Sequence, residues 1–382
     1  MDYSATTPCD ERVVQEMLPY FTQYFGNTAS RVHSFSWQAE AAVEQARERV
    51  AGLLQVQARE VVFTSGATEA CNLALRGIFE MYAVKGNHII TTKTEHKAVL
   101  DTCKALAKKG AFVTYLDVDA HGIIDLQQLE AAIQPNTILV AVMLANNETG
   151  VLQPVAQIGA ICKRHQVLFF CDATQAAGKI PVHPTETGMD LMSCSAHKMY
   201  GPKGVGALYI RSRNPRVKVT PQFTGGGHEQ NIRSGTLNVP GIVGFGKACA
   251  LCSEEMTTEA ARLGALRNKL DKALLGIPGS SVNGHITQRL PHISNISFSG
   301  LNSSLLLSAL NKSLALSAGS ACTSGSLDPS YVLAAMGLPE QVSRAALRFS
   351  LGRFTTATHI DFAIKEVFKC VTELRSQIPA FE

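Results

Sequence analysis

Apolar residues in the first part of the chain fall into short unbroken runs, separated by stretches with helical spacing. The runs are EVVFT (60–64), HIITT (88–92), FVTYL (112–116), TILVAVM (137–143), VLFFC (167–171), DLMSC (190–194) and GALYI (206–210). They are short, and most are rich in β-branched and aromatic residues, which predicts strands buried on both faces. Between Gln153 and His165, Val155, Ile158, Ile161 and Cys162 recur at helical spacing, and similar amphipathic segments separate most of the other runs. Strands alternating with amphipathic helices predict a mostly parallel sheet covered by helices on both faces. The last connection breaks the pattern. Only a short Gly/Pro-containing segment (Gly201, Pro202, Gly204) joins Ser195 to Gly206, too tight for a parallel crossover with its own helix. GALYI is therefore expected to pair antiparallel, making a seven-stranded mixed sheet.

After about residue 255 the texture changes. EEMTTEAARLGALRNKLDKALLG reads as a long polar helix ending at a Gly/Pro turn, followed by the strand-like HISNISFSG, a small-residue loop and further helices. The expected architecture is α/β. A large domain (10–255) carries the mixed sheet, and a smaller α+β domain (256–382) follows; the place of residues 1–9 depends on the resemblance given below.

A chain of 382 residues accommodates two domains. Its net charge of +4 is slight and does not describe a nucleic-acid binder with a strong basic stripe. The densest basic cluster, Arg211, Arg213, Arg216 and Lys218, reads as a solvated loop after a strand, or alternatively as a docking surface for RNA or an acidic partner. No apolar run approaches the roughly 20 residues of a membrane span, and MDYSATTP has neither the basic nor the apolar segment of a signal peptide. The ten cysteines are expected to be reduced thiols in a cytoplasm-like compartment. Cys249 and Cys252 form a C-x-x-C within a helix-like apolar stretch and, with no second pair nearby, read as buried helix cysteines rather than metal ligands.

Four polar motifs follow predicted strands, where open α/β sheets bind ligands. In TSGATEACN (64–72) a strand feeds a Ser-Gly-Ala-Thr turn and a helix start. That arrangement is a phosphate cradle or a simple Thr68 cap. In KTEHKAVL (93–100) His96 stands at a helix start, able to stack on a flat ring or to handle protons, or merely half-exposed there. In FFCDATQ (169–175) Asp172 ends an apolar strand, where a carboxylate needs a cation or a cap to make. In SCSAHKMYGPKG (193–204) Lys198 follows a strand; it is a Schiff-base lysine if an aldehyde binds nearby and a plain loop lysine otherwise. Taken together, a phosphate cradle, a ring-stacking imidazole, an acid for a pyridine nitrogen and a lysine for an aldehyde are the parts that hold pyridoxal 5′-phosphate. Further along, SAGSACTSGS (317–326) holds one nucleophile, Cys322, among small residues that offer little packing.

With these residues in hand the chain resembles the cysteine desulfurases of the IscS/NifS type, fold-type I, class V pyridoxal-phosphate enzymes. The resemblance runs from DYSATTP (2–8) to RFSLGRF (348–354) through FGNTASRVHSFS, TSGATEACNLA, TEHKAVLDTC, NNETG, DATQ, SAHKMYGPKGVGALY, GGGHEQNIRSGT and SAGSACTSGSLDPSYV. It implies that residues 1–9 join the smaller domain. It also implies a role for each site residue. Lys198 bonds the cofactor aldehyde and His96 stacks on the ring. Asp172 pairs with the pyridine nitrogen and Gln175 with the phenolic oxygen. Asn147 helps position cofactor and substrate. Ala67, Thr68, Ser195 and His197 hold the phosphate, while Thr236 reaches the phosphate of a neighbouring subunit in a homodimer with shared active sites. Arg348 clamps the substrate carboxylate. Cys322 accepts sulfur from L-cysteine, leaving L-alanine, and passes it to acceptor proteins such as an iron–sulfur scaffold or a tRNA-thiolation relay; it could contact a cluster transiently. No resident metal, membrane or direct nucleic-acid partner is implied. Selenocysteine lysis, another class V reaction or an inactive sulfur-transfer subunit are the alternatives, and a cysteine on a Ser/Gly loop argues against a simple transaminase. Two departures stand out: the chain stops at PAFE, without the C-terminal tail through which scaffold-serving members contact the scaffold, and Met1 directly precedes DYSATTP. The first departure puts scaffold docking in the usual manner in question, and residues 319–327 are expected to be weakly ordered without a partner.

Overall fold

The computed structural model describes residues 1–30, 32–319 and 329–377. All seven apolar runs form strands: β1 (Val61–Thr64), β2 (His88–Thr92), β3 (Phe112–Leu116), β4 (Thr137–Ala141), β5 (Leu168–Asp172), β6 (Leu191–Ser195) and β7 (Gly206–Ile210). They make one sheet in the order β1-β7-β6-β5-β4-β2-β3. The pairs β2–β3, β2–β4, β4–β5 and β5–β6 are parallel. β7 pairs antiparallel with both β6 and β1, as the short Ser195–Gly206 connection predicts.

The sheet is buried on both faces. Phe169, Cys171, Met192 and Cys194 point into one core, together with the helix Ser34–Leu54, while Leu168, Phe170 and Leu191 point into the other, with the helices Ala67–Met81 and Lys97–Ala107. This alternation is the two-residue period of a strand expressed on a doubly covered sheet.

A second, antiparallel sheet orders β8 (Ser280–Val282), β9 (Ile293–Phe298) and β10 (Ala346–Ser350) as β10-β9-β8. Its core includes Ile296, Phe298, Leu347, Phe349 and the helix Ala357–Ser376. The change of texture near residue 255 is not the end of a helix: one 36-residue helix, Val239–Leu274, runs straight through it. Its first part, with Val243, Ala248 and Cys252, enters the core of the large sheet. Its last turns, with Leu263, Leu270 and Leu274, enter the core of the small one. Cys249 and Cys252 are buried in it. The first residues lie along β10, with Tyr3 N donating to Ser350 O and Ser350 N to Met1 O, and then pass to the large sheet, where Thr7 N donates to His197 O.

Cys322 and nearly all of the loop 319–327 lie outside the described residues. Among the described residues no helix is long and apolar enough to cross a membrane, and no three His, Cys, Asp or Glu side chains come together as a metal site.

Candidate active site

The carboxyl ends of β4, β5 and β6 and the turns after β1 and β2 converge on a cavity of about 440 Å³. Its lining brings together Ala67, Thr68, His96, Asn147, Asp172, Gln175, Ser195, His197, Lys198 and Arg348. Of the site residues predicted from sequence and described here, only Thr236 stands elsewhere, exposed on its loop.

Each residue is placed by its element. β1 turns at Gly66, whose φ of 149° suits glycine, and Gly66 caps the helix Ala67–Met81 without a side-chain acceptor. The N–H groups of its first turn therefore face the cavity without a side-chain cap, as an anion site requires. After β2, His96 caps the helix Lys97–Ala107, its Nδ1 accepting from Ala98 N at 3.1 Å; the ring hydrogen then belongs on Nε2. Burial and the Lys198 charge lower the His96 pKa, with Asp172 opposing them, so the imidazole is neutral. After β4, Asn146 Oδ1 accepts from Glu148 N (2.9 Å) and Thr149 N (3.0 Å), folding the turn that presents Asn147. β5 ends in Asp172, whose Oδ1 accepts from Thr174 N at 3.0 Å and Ser193 Oγ at 3.1 Å. β6 ends in Ser195 and passes into the short turn Ala196–Lys198.

Lys198 Nζ donates to the backbone oxygens of Ser4 and Ala5. Gln175 Nε2 donates to Ser4 O at 3.0 Å, and His197 Nδ1 lies 3.1 Å from Thr6 Oγ1. Burial, followed by the charges of Lys198 and Lys203, pulls the His197 pKa down to about 4, so this ring is neutral as well. Beneath the site, burial raises the Glu95 pKa to about 8; Met143 N and Thr92 bond its carboxylate and oppose the rise, and the Asp172 charge adds to it.

Arg348 is 1 % exposed. Nη1 donates to Asn147 O at 2.9 Å and Nη2 to Asp2 Oδ1 at 2.7 Å. A substrate carboxylate would meet Nε and the remaining hydrogens of the two terminal nitrogens, or take the place of Asp2.

The lining fits pyridoxal phosphate on one independent observation. Among the described residues, four of its buried polar atoms, Ser4 Oγ, Asn147 Oδ1, Thr174 Oγ1 and Arg348 Nε, have no hydrogen-bond partner. Such atoms are costly unless a bound group satisfies them.

Sequence reasoning passed over Ser4, Ala5 and Thr6, which the fold carries into the cavity, and Thr174, Glu69 and Lys203, which also line it. DYSATTP was the available signal for the first three. Nothing local marks Cys71 and Ser193, which touch Asp172 from beneath.

Residues 1–362 match the family described as Aminotransferase class-V, and the chain belongs to that family. A protein named cysteine desulfurase IscS from Anaeromyxobacter sp. (strain Fw109-5) is 53 % identical over 383 residues, covering 100 % of this chain and 94 % of the relative. A solved NifS-like protein superposes with a TM-score of 0.91 at 37 % identity, covering 97 % of this chain and 98 % of its own. A structure described as SspA in complex with cysteine matches with a TM-score of 0.82 at 37 % identity, over 93 % of this chain and 99 % of that one.

Proposed function

We propose that this protein is a pyridoxal-phosphate-dependent cysteine desulfurase, taking sulfur from L-cysteine and releasing L-alanine. The observation that carries the reading is the convergence of Lys198, Asp172, His96 and an uncapped helix start on one cavity. The names of the relatives and the cysteine-bound neighbour support the substrate.

When bound, the cofactor supplies an aldehyde for amines and a ring that takes up electrons. Lys198 would be the amine that engages the aldehyde, and its Nζ would move the substrate Cα proton. Asp172 would pair with the ring nitrogen, neutral His96 would cover the ring, and Gln175 would hold the phenolic oxygen. Ala67, Thr68, Ser195 and His197 would hold the phosphate. Asn147 and Arg348 orient the substrate, Arg348 by its carboxylate. The Cys322 thiolate attacks the substrate sulfur: the S–S bond forms, the C–S bond breaks, and the electron pair stays with the carbon fragment, which takes up a proton and leaves as alanine. The persulfide on Cys322 then passes to an acceptor protein, with an iron–sulfur scaffold or a tRNA-thiolation relay as the candidate classes.

A homodimer fits the surface. Phe21, Phe25, Phe35 and Trp37 are exposed aromatics within one short stretch, the kind of patch an interface covers. Thr236 stands outside its own cavity, free to serve the partner's phosphate.

The test is direct. Purified protein supplied with pyridoxal phosphate is expected to turn yellow, to lose that colour on borohydride reduction with the label on Lys198, and to yield equal alanine and sulfide from cysteine with a thiol reductant. Protein that takes up no cofactor, or takes it up and leaves cysteine intact, overturns the reading.

A further inference from the structure

Asp172 is gripped from three elements, and the grip is uneven. Oδ1 accepts two good hydrogen bonds, from Thr174 N and Ser193 Oγ. Among the described residues Oδ2 has only the Cys71 thiol, at 3.9 Å. Ser193 comes from β6 and Cys71 from the helix that starts the phosphate cradle; both are fully buried, and Ser193 Oγ lies 3.5 Å from Cys71 Sγ. Burial, with the Asp172 charge adding to it, holds the Cys71 pKa well above the ordinary thiol value. Its hydrogen stays on, and the thiol serves as a weak donor. Lys198 and His96 share the cavity with Asp172. Glu95, Cys171 and Cys194 lie close enough to feel its charge.

A carboxylate that accepts hydrogen bonds in its charged form holds a proton less readily. We infer that Ser193 and Cys71 are positioning residues for the cofactor. They hold the Asp172 carboxylate through both oxygens, Ser193 at Oδ1 and Cys71 at Oδ2, and keep the proton that it shares with the cofactor ring on the ring nitrogen. The inference rests on the cofactor reading above and adds to it two residues that touch neither cofactor nor substrate.

The experiment uses holoenzyme loaded with pyridoxal phosphate labelled with ¹⁵N in the ring. In the wild type the ¹⁵N resonance is expected at the protonated position. In Ser193→Ala it should move toward unprotonated pyridine, with the ratio of protonated to unprotonated ring falling on the order of tenfold, as befits one hydrogen bond to a charged group. Cys71→Ala should move it the same way by less, and Cys71→Ser, which keeps a donor, should leave it near the wild-type position. A purely structural role would weaken cofactor binding and leave the resonance of bound cofactor in place; unmoved resonances in both alanine variants overturn the inference. Should Ser193→Ala fail to fold, the comparison of Cys71→Ala with Cys71→Ser decides by the same rule. A wild type that takes up no cofactor overturns the underlying reading, whereas uptake with unmoved variants overturns this inference alone.

Discussion

Glu148 Oε2 accepts a 2.5 Å hydrogen bond from Ser330 Oγ. The bond joins the turn that presents Asn147 to the start of the helix Tyr331–Ala335, which Ser330 also caps by accepting from Leu333 N. The next residue, Tyr331, donates its hydroxyl to Glu95 O at 2.8 Å, beside His96. Two consecutive residues thus tie the far side of the Cys322 segment to two walls of the cavity.

Ser330→Ala removes a donor to a buried carboxylate and a helix cap in one step. It should cost about 1–3 kcal/mol of stability and lower sulfide release. Urea unfolding and a desulfurase assay check this; an unchanged urea midpoint would show the bond to be ornamental.

Lys198→Ala should abolish borohydride trapping and reduce alanine formation by at least about 10²–10⁴-fold, the range for a lost proton-transferring group. Lys198 donates to the backbone oxygens of Ser4 and Ala5, which other donors or water can satisfy in its absence, so the variant should stay folded by circular dichroism. A variant that kept near-normal turnover would remove Lys198 from the chemistry.

Cys322→Ser should bind pyridoxal phosphate and still change colour when cysteine is added, yet release little alanine and carry no protein-bound persulfide. Mass spectrometry of the intact chain reads this, and persulfide at the usual yield would assign the acceptor role to another cysteine.

Gly206 sits where β7 passes the cradle. A Cβ there would lie 2.6 Å from Cys194 O and 2.8 Å from Gly66 Cα. Gly206→Ala must displace backbone, costing about 1–3 kcal/mol, and the displaced turn is the one that faces the phosphate. Cofactor titration by absorbance should show a weaker Kd; an unchanged Kd would mean that the cradle does not depend on Gly66.

Two neutral groups, half-buried His197 and buried Glu95, give opposite pH slopes in the cofactor-free protein. His197 titrates near 4 when folded, below its ordinary 6.5, so the unfolded chain binds more protons between these values and stability rises with pH there. Glu95 titrates near 8 when folded, above its ordinary 4.5. The folded chain then binds more protons, and stability falls as pH rises from about 4.5 to about 8. His197→Gln should flatten the first slope and Glu95→Gln the second in unfolding midpoints measured against pH. Curves parallel to wild type would contradict these environments.

The strands could be read because all but the edge strand β3 are buried along their whole length, so most residues in each run are apolar or β-branched. β7 could be given its direction because too little chain joins it to β6. Asp172, Lys198 and His96 stood out because each interrupts or ends such a run with a charge or an imidazole. The boundary at 255 misled as to the helix because polarity there changes with the surface being covered, while the backbone continues unbroken from Val239 to Leu274. Cys71 and Ser193 carry no local sign of their role. They are small residues at ordinary helix and strand positions, and only the register of β5 against β6, with Asp172 opposite Ser193, brings hydroxyl to carboxylate.

The unbroken helix also limits how this molecule can move. At 1.5 Å per residue it is a rod of roughly 54 Å, with one end embedded in each core. Closing one core on the other as rigid bodies would have to bend that rod or tear one end out of its packing. Substrate access must then be accommodated by lighter parts, such as the turn from Tyr3 to Ala5, whose Ser4 and Ala5 carbonyls now occupy Lys198 and Gln175. The enzyme is built as a braced frame with movable fittings, and its working strokes should be sought at that N-terminal strip before they are sought between the two sheets.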